Sequence, residues 1–248
     1  MHRGFTGKPQ GCRICGGPIS YHQLVYNQIC SDWRCKKALL ELEMGEYRDM
    51  AARVRGIDRP CSYRLIAVPG DPREIQRQPY KRKQAHIDFL FDLCVQTLVF
   101  LNGDGDSTSE DRSGNLDPPA KMASDVCGIC RGACCHFGNE SAFLDRAAIL
   151  RFIDSSGISD PLQIVYAYYG HLPAAAVADA CVYQADQGCT LPRWMRADIC
   201  NSYRCEGLRQ AEKMISRDGI QRFCVLVRRD NRIIRCGFMK NHEIIHYP

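Results

Sequence analysis

In the stretch "KKALLELEMGEYRDMAARV", apolar residues return every three or four positions, at Leu40, Met44, Tyr47, Ala51 and Val54. Side chains spaced that way share one face of an α-helix, so the pattern predicts an amphipathic helix beginning just after Cys35. The period then changes. "YRLIAV" reads as a short strand, stopped by the turn signal "PGDP". From Lys81 to Leu101 the helical period returns, with Ile87, Leu90, Phe91 and Leu98 on the apolar side. Cys94 lies in that stretch and reads as a small core residue, as isolated thiols commonly are.

The second half carries further helical patterns. "SAFLDRAAILRFI" predicts one helix, ended by "SSG". "DPLQIVYAYYG" predicts another, with Asp160 as N-cap, Pro161 in the first helical position and Gly170 past the end. "PAAAVADACVYQA" reads as a third and "EGLRQAEKMISRDG" as a fourth. The strand signal returns in "RFCVLVRRDNRIIRCGF", a hairpin turning near Asp230 and Asn231 that holds Cys224 and Cys236 as packing residues.

Between the halves, residues 102–125 are acidic and rich in Gly, Ser and Pro, which is spacer composition. Its "DGDSTS" fails as a calcium loop, because Ser109 and Asn115 stand where a glycine and an acid are required. The expected organisation is therefore a first module over 1–101, a flexible linker over 102–125 and a second module over 126–248. The expected fold class is α+β and mainly helical: a small N-terminal zinc knuckle with helices, then a helical cysteine-cluster domain ending in a β-hairpin.

Composition adds a compartment argument. The longest apolar run, "FLFDLCVQTLVFL", is broken by Asp92 and Gln96, and no apolar segment follows the basic start "MHRGF". The expectation is a cytoplasmic protein that neither crosses a membrane nor carries a secretory signal. Thiols stay reduced in that compartment, so 16 cysteines point to metal before disulfides. The net charge of +5 divides unevenly, with +6 over residues 1–101, −4 over 102–126 and +3 over 127–248. Each filled four-thiolate site holding a divalent ion adds about −2 to such a count. The basic first module has a "KRK" run at Lys81–Lys83, but aromatic residues are not interleaved with the charges as in a nucleic-acid stacking platform. A solvated helix start accounts for it.

Four of the cysteines open the chain: "CRICGGPISYHQLVYNQICSDWRC" places Cys12 and Cys15 two residues apart, and Cys30 and Cys35 after a loop. Zinc takes four soft or borderline ligands in a tetrahedron, which one tight thiolate knuckle and a second pair across a loop supply. Gly16 and Gly17 allow the backbone turn that aims the first two sulfurs inward. The pattern resembles zinc-ribbon and treble-clef knuckles of the type CxxCG…FCSxxC. The gap before Cys35 is longer than in that type, so His22 stands beside Cys35 as a candidate fourth ligand.

Eight more fall in the second half: "CGICRGACC" holds Cys127, Cys130, Cys134 and Cys135, and "CVYQADQGCTLPRWMRADICNSYRC" holds Cys181, Cys189, Cys200 and Cys205. This arrangement resembles the CxxCxxCC cysteine-cluster family over residues 127 to about 208. The resemblance implies a zinc- or iron-chelating domain, in some relatives an iron–sulfur cluster, with the eight cysteines as its cofactor-binding residues. Where the family often has Arg-Pro before its last pair, this chain has "LPRWMRADIC", so Arg193 and Arg196 take the electrostatic place without the proline. A tetrahedral zinc or a cubane cluster uses four protein thiolates, so eight cysteines build two centres or include several that only pack. Arg131, Arg193, Arg196 and Arg204 can offset thiolate charge, and His136 beside Cys135 is a further candidate ligand or proton carrier.

The spacing excludes the Cys-x3-Cys-x2-Cys of radical S-adenosylmethionine enzymes and the bacterial ferredoxin run. A phosphate loop, a zinc-protease His-Glu-x2-His and a nucleophile elbow are all absent from the sequence. The functional expectation is a metal-binding protein with a structural zinc site and a second, iron–sulfur centre in a redox or cluster-dependent role, served by a protein or redox partner. The alternative is an all-zinc, non-enzymatic adaptor that binds a nucleic acid or a protein; no catalytic residue is assigned in either reading.

Overall fold

The structure, a computed structural model, describes residues 11–26, 28–102, 118–229, 232–241 and 243–246. About 52% is helix and 17% strand, which makes the class α+β. The chain divides into two compact units, Met1–Leu65 and Ile66–Pro248.

The first unit holds α1 (Tyr21–Tyr26) and α2 (Trp33–Arg55). Ser20 and Gln23 cap α1 reciprocally, the Ser20 N–H donating to Gln23 Oε1 at 2.8 Å and the Gln23 N–H to Ser20 Oγ at 3.2 Å. Asp32 caps α2 by accepting from the Arg34 N–H at 2.8 Å, so the helix starts at Trp33, three residues before the expected point. Gly56, at φ 65°, ends it in the left-handed conformation that suits glycine.

The second unit begins with β1 (Arg64–Pro69), β2 (Ile75–Arg77) and α3 (Tyr80–Asn102). Residues 66–101, which composition groups with the first module, therefore belong to the second unit by their contacts. Composition marks where a chain turns polar; it does not say which core an apolar helix joins. Helix α3 packs against α5 (Arg146–Ser156) and α6 (Pro161–Tyr169). Leu90, Cys94, Ile149, Phe152, Ile164 and Tyr168 are the heart of that core. Cys94 is fully buried, as expected of a packing residue. By length and a mean hydropathy of 1.3, the segment Tyr80–Leu101 is also long and apolar enough to cross a membrane, which a count of uninterrupted apolar residues missed. Its inward stripe is not purely apolar, because His86 and Thr97 are buried in it.

Helix α4 (Pro118–Cys130) lies between α3 and α5 in the chain, and after α6 come the short strands β3 (Ala175–Val177), β4 (Gln184–Ala185) and β5 (Gly188–Cys189), then α7 (Asp198–Ser202) and α8 (Glu206–Asp218). Two expectations are corrected here. The segment 118–125 is the start of a helix whose Met122 and Ala123 are buried, and residues 103–117 of the expected linker lie outside the described residues. The third predicted helix, over "PAAAVADACVYQA", is strand and turn instead. Alanine favours helix, but Ala175–Val177 pairs antiparallel with Ile75–Arg77, and that pairing outweighs a weak local propensity.

The last strands are β6 (Arg222–Arg229), β7 (Arg232–Lys240) and β8 (Glu243–His246). With β1 they form a sheet in the order β1-β6-β7-β8, so the expected hairpin is present with one more strand at each edge. Its turn at Asp230 and Asn231 lies outside the described residues. Helices α4 and α8 cover one face, where Val126, Ile129, Leu208 and Ala211 meet Ile66, Val68, Phe223, Val225 and Met239. Gly207 permits that approach, since a Cβ there would lie 2.2 Å from the Ala67 carbonyl oxygen. The second unit thus has two cores, one among helices and one against the sheet.

A buried polar chain ties the helical core together. His86 Nδ1 donates to the Glu140 carbonyl, and Nε2 lies 2.7 Å from the Tyr183 hydroxyl, which also stands 3.2 Å from the Tyr168 carbonyl. Burial lowers the His86 pKa below its ordinary 6.5, outweighing the pull of the Glu140 carbonyl and carboxylate. A histidine held neutral in the fold contributes stability that is present above its unfolded pKa and lost as pH falls below it. Wild-type melting temperature therefore falls between pH 7 and 5.5 more steeply than that of His86→Gln. Parallel slopes for the two proteins would place the acid sensitivity elsewhere.

Candidate metal centres

In the first unit the knuckle is a hydrogen-bonded turn. The Cys12 N–H donates to the Gly17 carbonyl at 2.7 Å and the Gly16 N–H to the Cys12 carbonyl at 2.8 Å, with Gly16 at φ 70°. The turn is anchored to the second cysteine pair by the Arg13 N–H, which reaches the Gln28 carbonyl at 2.9 Å, and by Ile29, buried between Cys12 and Cys35. Gln23 Nε2 donates to Ser31 Oγ at 2.8 Å and steadies the far side.

The result is one set of sulfurs. Cys12, Cys15, Cys30 and Cys35 place their four Sγ atoms within 4.8 Å of one another. Cys35 therefore completes the set expected from the spacing, rather than His22. The Cys12 pKa is lowered to about 6 because backbone N–H groups of Cys15 and Cys30 point at its sulfur, against the opposing effect of burial. Burial, with the three neighbouring sulfurs, pushes Cys35 upward. The backbone N–H groups thus favour a thiolate at Cys12, and four soft donors at this separation suit a closed tetrahedral ion.

The eight later cysteines come from six places in the second unit. Cys127 and Cys130 end α4, Cys134 and Cys135 lie in a 3-10 turn over Ala133–Gly138, and Cys181 precedes β4. Cys189 ends β5, Cys200 lies on α7, and Cys205 is the residue before α8. Six of them flank the seam between the two cores, Cys130, Cys127 and Cys205 on the sheet side and Cys181, Cys135 and Cys189 on the helical side, while Cys134 is exposed and Cys200 half-buried.

Several bonds hold the seam. The Gly132 N–H donates to Cys130 Sγ at 3.1 Å, and the Cys181 N–H to the Cys135 carbonyl at 3.1 Å. Arg196 reaches the Cys189 carbonyl at 3.2 Å and the Leu191 carbonyl at 2.7 Å. A Cβ at Gly132 would lie 2.8 Å from Cys135 Sγ, and one at Gly138 would lie 2.8 Å from Cys181 Cβ, so only glycine lets these segments close on the sulfurs. Arg131, Asn139, Ala142, Phe143 and Asp179 adopt positive φ, between 40° and 58°, in the loops that carry or adjoin the cysteines. Such conformations persist where the surroundings over-determine them, typically around functional groups.

The seam sulfurs also act on one another. Cys134 is near enough to influence the thiols of Cys127, Cys135, Cys189, Cys200 and Cys205, and Cys189 in turn influences Cys181. The Cys135 thiol holds the exposed Cys134 down to about 7, whereas burial pushes Cys181 and Cys200 up to about 12. These sulfurs are neighbours without being a tight set. Among the described residues, the N-terminal four are the group whose ligand atoms converge closely enough for a single ion. Beside the seam, Arg131 Nε and Gln184 Oε1 are buried polar atoms without a hydrogen-bond partner. His136, the other candidate, is exposed.

Comparisons with protein families, curated proteins and solved structures return no match. The likeness to the CxxCxxCC family consequently rests on cysteine spacing alone. The sequence reading missed Gln184, buried and paired in register with Cys189, because a lone glutamine carries no signal without the fold.

Proposed function

We propose that this is a two-centre metalloprotein: a structural zinc ion on Cys12, Cys15, Cys30 and Cys35, and an iron–sulfur cluster in the seam of the second unit, serving electron transfer or a cluster-dependent reaction. The observation that carries the second assignment is the seam itself. Cysteines from both cores line it without converging as the N-terminal four do, near a buried arginine donor atom without a hydrogen-bond partner.

A cluster spreads its metal atoms and bridging sulfides over a larger volume than one ion, so ligands that do not converge on a point suit it better than they suit zinc. Such a group would supply one-electron chemistry when bound. Cys134, exposed and adjacent to Cys135, would be one of the ligands. Arg131 Nε would donate a hydrogen bond to a cluster sulfur, and Arg196 would hold Cys189 in place, effects that shift a cluster potential.

Metal and sulfide analysis of anaerobically purified protein tests this reading. It predicts about one zinc per chain with iron and acid-labile sulfide, and broad absorption near roughly 400 nm. Colourless protein containing two or more zinc ions and no sulfide would sink it in favour of an all-zinc adaptor.

A further inference from the structure

Helix α2 and the knuckle turn enclose a groove of about 570 Å³ that neither metal centre uses. Its floor is apolar, built from Ile14, Ala38, Leu42 and Gly45, and its rim is acidic, built from Glu41, Glu46 and Asp49. Leu42 is 53% exposed on that floor.

Gly45 is the informative residue. It sits in the interior of a 23-residue helix, where glycine is among the least favourable choices. Its φ is not positive, so the backbone does not demand glycine, and a Cβ there would meet no atom within 4 Å, so internal packing does not demand it either. What a missing side chain does provide is a notch in the floor, into which another backbone can settle closely.

We propose that this groove is a docking site for a basic amphipathic helix of a partner protein. From Ala38 to Asp49 the floor and rim run for about 16 Å at 1.5 Å per residue, three turns of a bound helix. Apolar side chains at helical spacing would cover Leu42, Ile14 and the Gly45 notch, as helix-in-groove recognition does. Lysine or arginine on the flanks would face Glu41, Glu46 and Asp49. Two of these acids already have local cations, Lys37 at 3.9 Å from Glu41 and Arg48 at 2.7 Å from Asp49, and both pairs are side-chain neighbours on the same helix that a partner's cations can replace. The charge of the groove thus selects a cationic partner, whereas the basic sum of the surrounding sequence points toward an acidic one.

The test uses the full chain and a fluorescein-labelled 15-residue peptide with leucine at helical spacing and lysine elsewhere, followed by fluorescence anisotropy. Saturable binding is expected, weakening at least tenfold between 50 and 300 mM salt as exposed charges are screened. Gly45→Leu, which fills the notch with a better helix former, should weaken binding at least tenfold while zinc content is kept and melting temperature is kept or raised. A peptide of equal composition with its leucines scattered around the helix should also bind at least tenfold more weakly. Undiminished binding to Gly45→Leu, or equal binding of the scattered peptide, would overturn the proposal. So would a wild-type dimer in sedimentation that Gly45→Leu converts to monomer, because a second copy would then be the occupant. Zinc and sulfide contents are read separately, so failure here is distinguishable from failure of the metal assignments.

Discussion

Cys15→Ser releases one zinc equivalent per chain and unfolds the first unit, while the second unit keeps its cooperative melt and its absorption. The expected size of the effect follows from how little else holds the first unit together. Its buried cluster on that side is Cys12, Ile29 and Cys35, two of which belong to the four-cysteine group, and α2 buries only Cys35, Met44 and Ala52 along its length. A core of that size stabilises a chain of this length only marginally. Structural zinc in small domains contributes roughly 10 to 16 kcal/mol of binding free energy at neutral pH, and on the zinc reading most of the unit's stability would be of that origin. A chromogenic chelator measures the zinc released, and limited proteolysis measures the unfolding. If the variant keeps its zinc, Cys15 is not a ligand. If both units melt together, the division into two compact units does not describe the folding of the chain.

Cys134→Ser and Cys94→Ser have opposite effects on the second centre. Cys134 is held down to about 7 by the Cys135 thiol and belongs to the proposed ligand set, so on the cluster reading its loss should remove most of the visible absorption and the labile sulfide. Cys94, fully buried in the helical core and pushed up to about 12 by burial, should leave metal content unchanged. Its cost is in stability, roughly 1 to 3 kcal/mol for placing a hydroxyl in an apolar site without a compensating hydrogen bond. Iron analysis, the visible spectrum and a thermal melt on both variants separate a ligand from a packing residue. Full absorption in Cys134→Ser would remove Cys134 from the centre.

The two cysteine groups differ in how far spacing alone reveals them. Cys12 and Cys15 lie in one turn whose geometry the intervening residues dictate, and Cys30 and Cys35 flank a helix start that Asp32 marks. A local pattern suffices for such a site. The later eight are different, because the seam is made by α4 and α8 closing on the sheet and by residues 181–195 closing on α3, α5 and α6. Those contacts join residues a hundred positions apart, such as Arg235 with the Ile129 carbonyl at 3.4 Å.

Elements with strong local signals were legible from the residues. Helices α2, α3, α6 and α8 and the β6–β7 hairpin carry clear periods and, in α2, α6 and α8, capping residues or glycine ends that act within a few positions. The alanine-rich segment was misread because its partner strand, Ile75–Arg77, lies about a hundred residues upstream and leaves no mark on local propensity. The same reason hid the inward polar face of α3, where His86 is acceptable only because Tyr183 and the Glu140 carbonyl are brought to it. By itself, then, the sequence determined the helical and strand periods, the excess of thiols and the N-terminal four-cysteine site. Tertiary structure decided where the second unit begins, how eight cysteines share one seam, and that an acidic groove lies on a basic module, because each depends on contacts between segments distant in the chain.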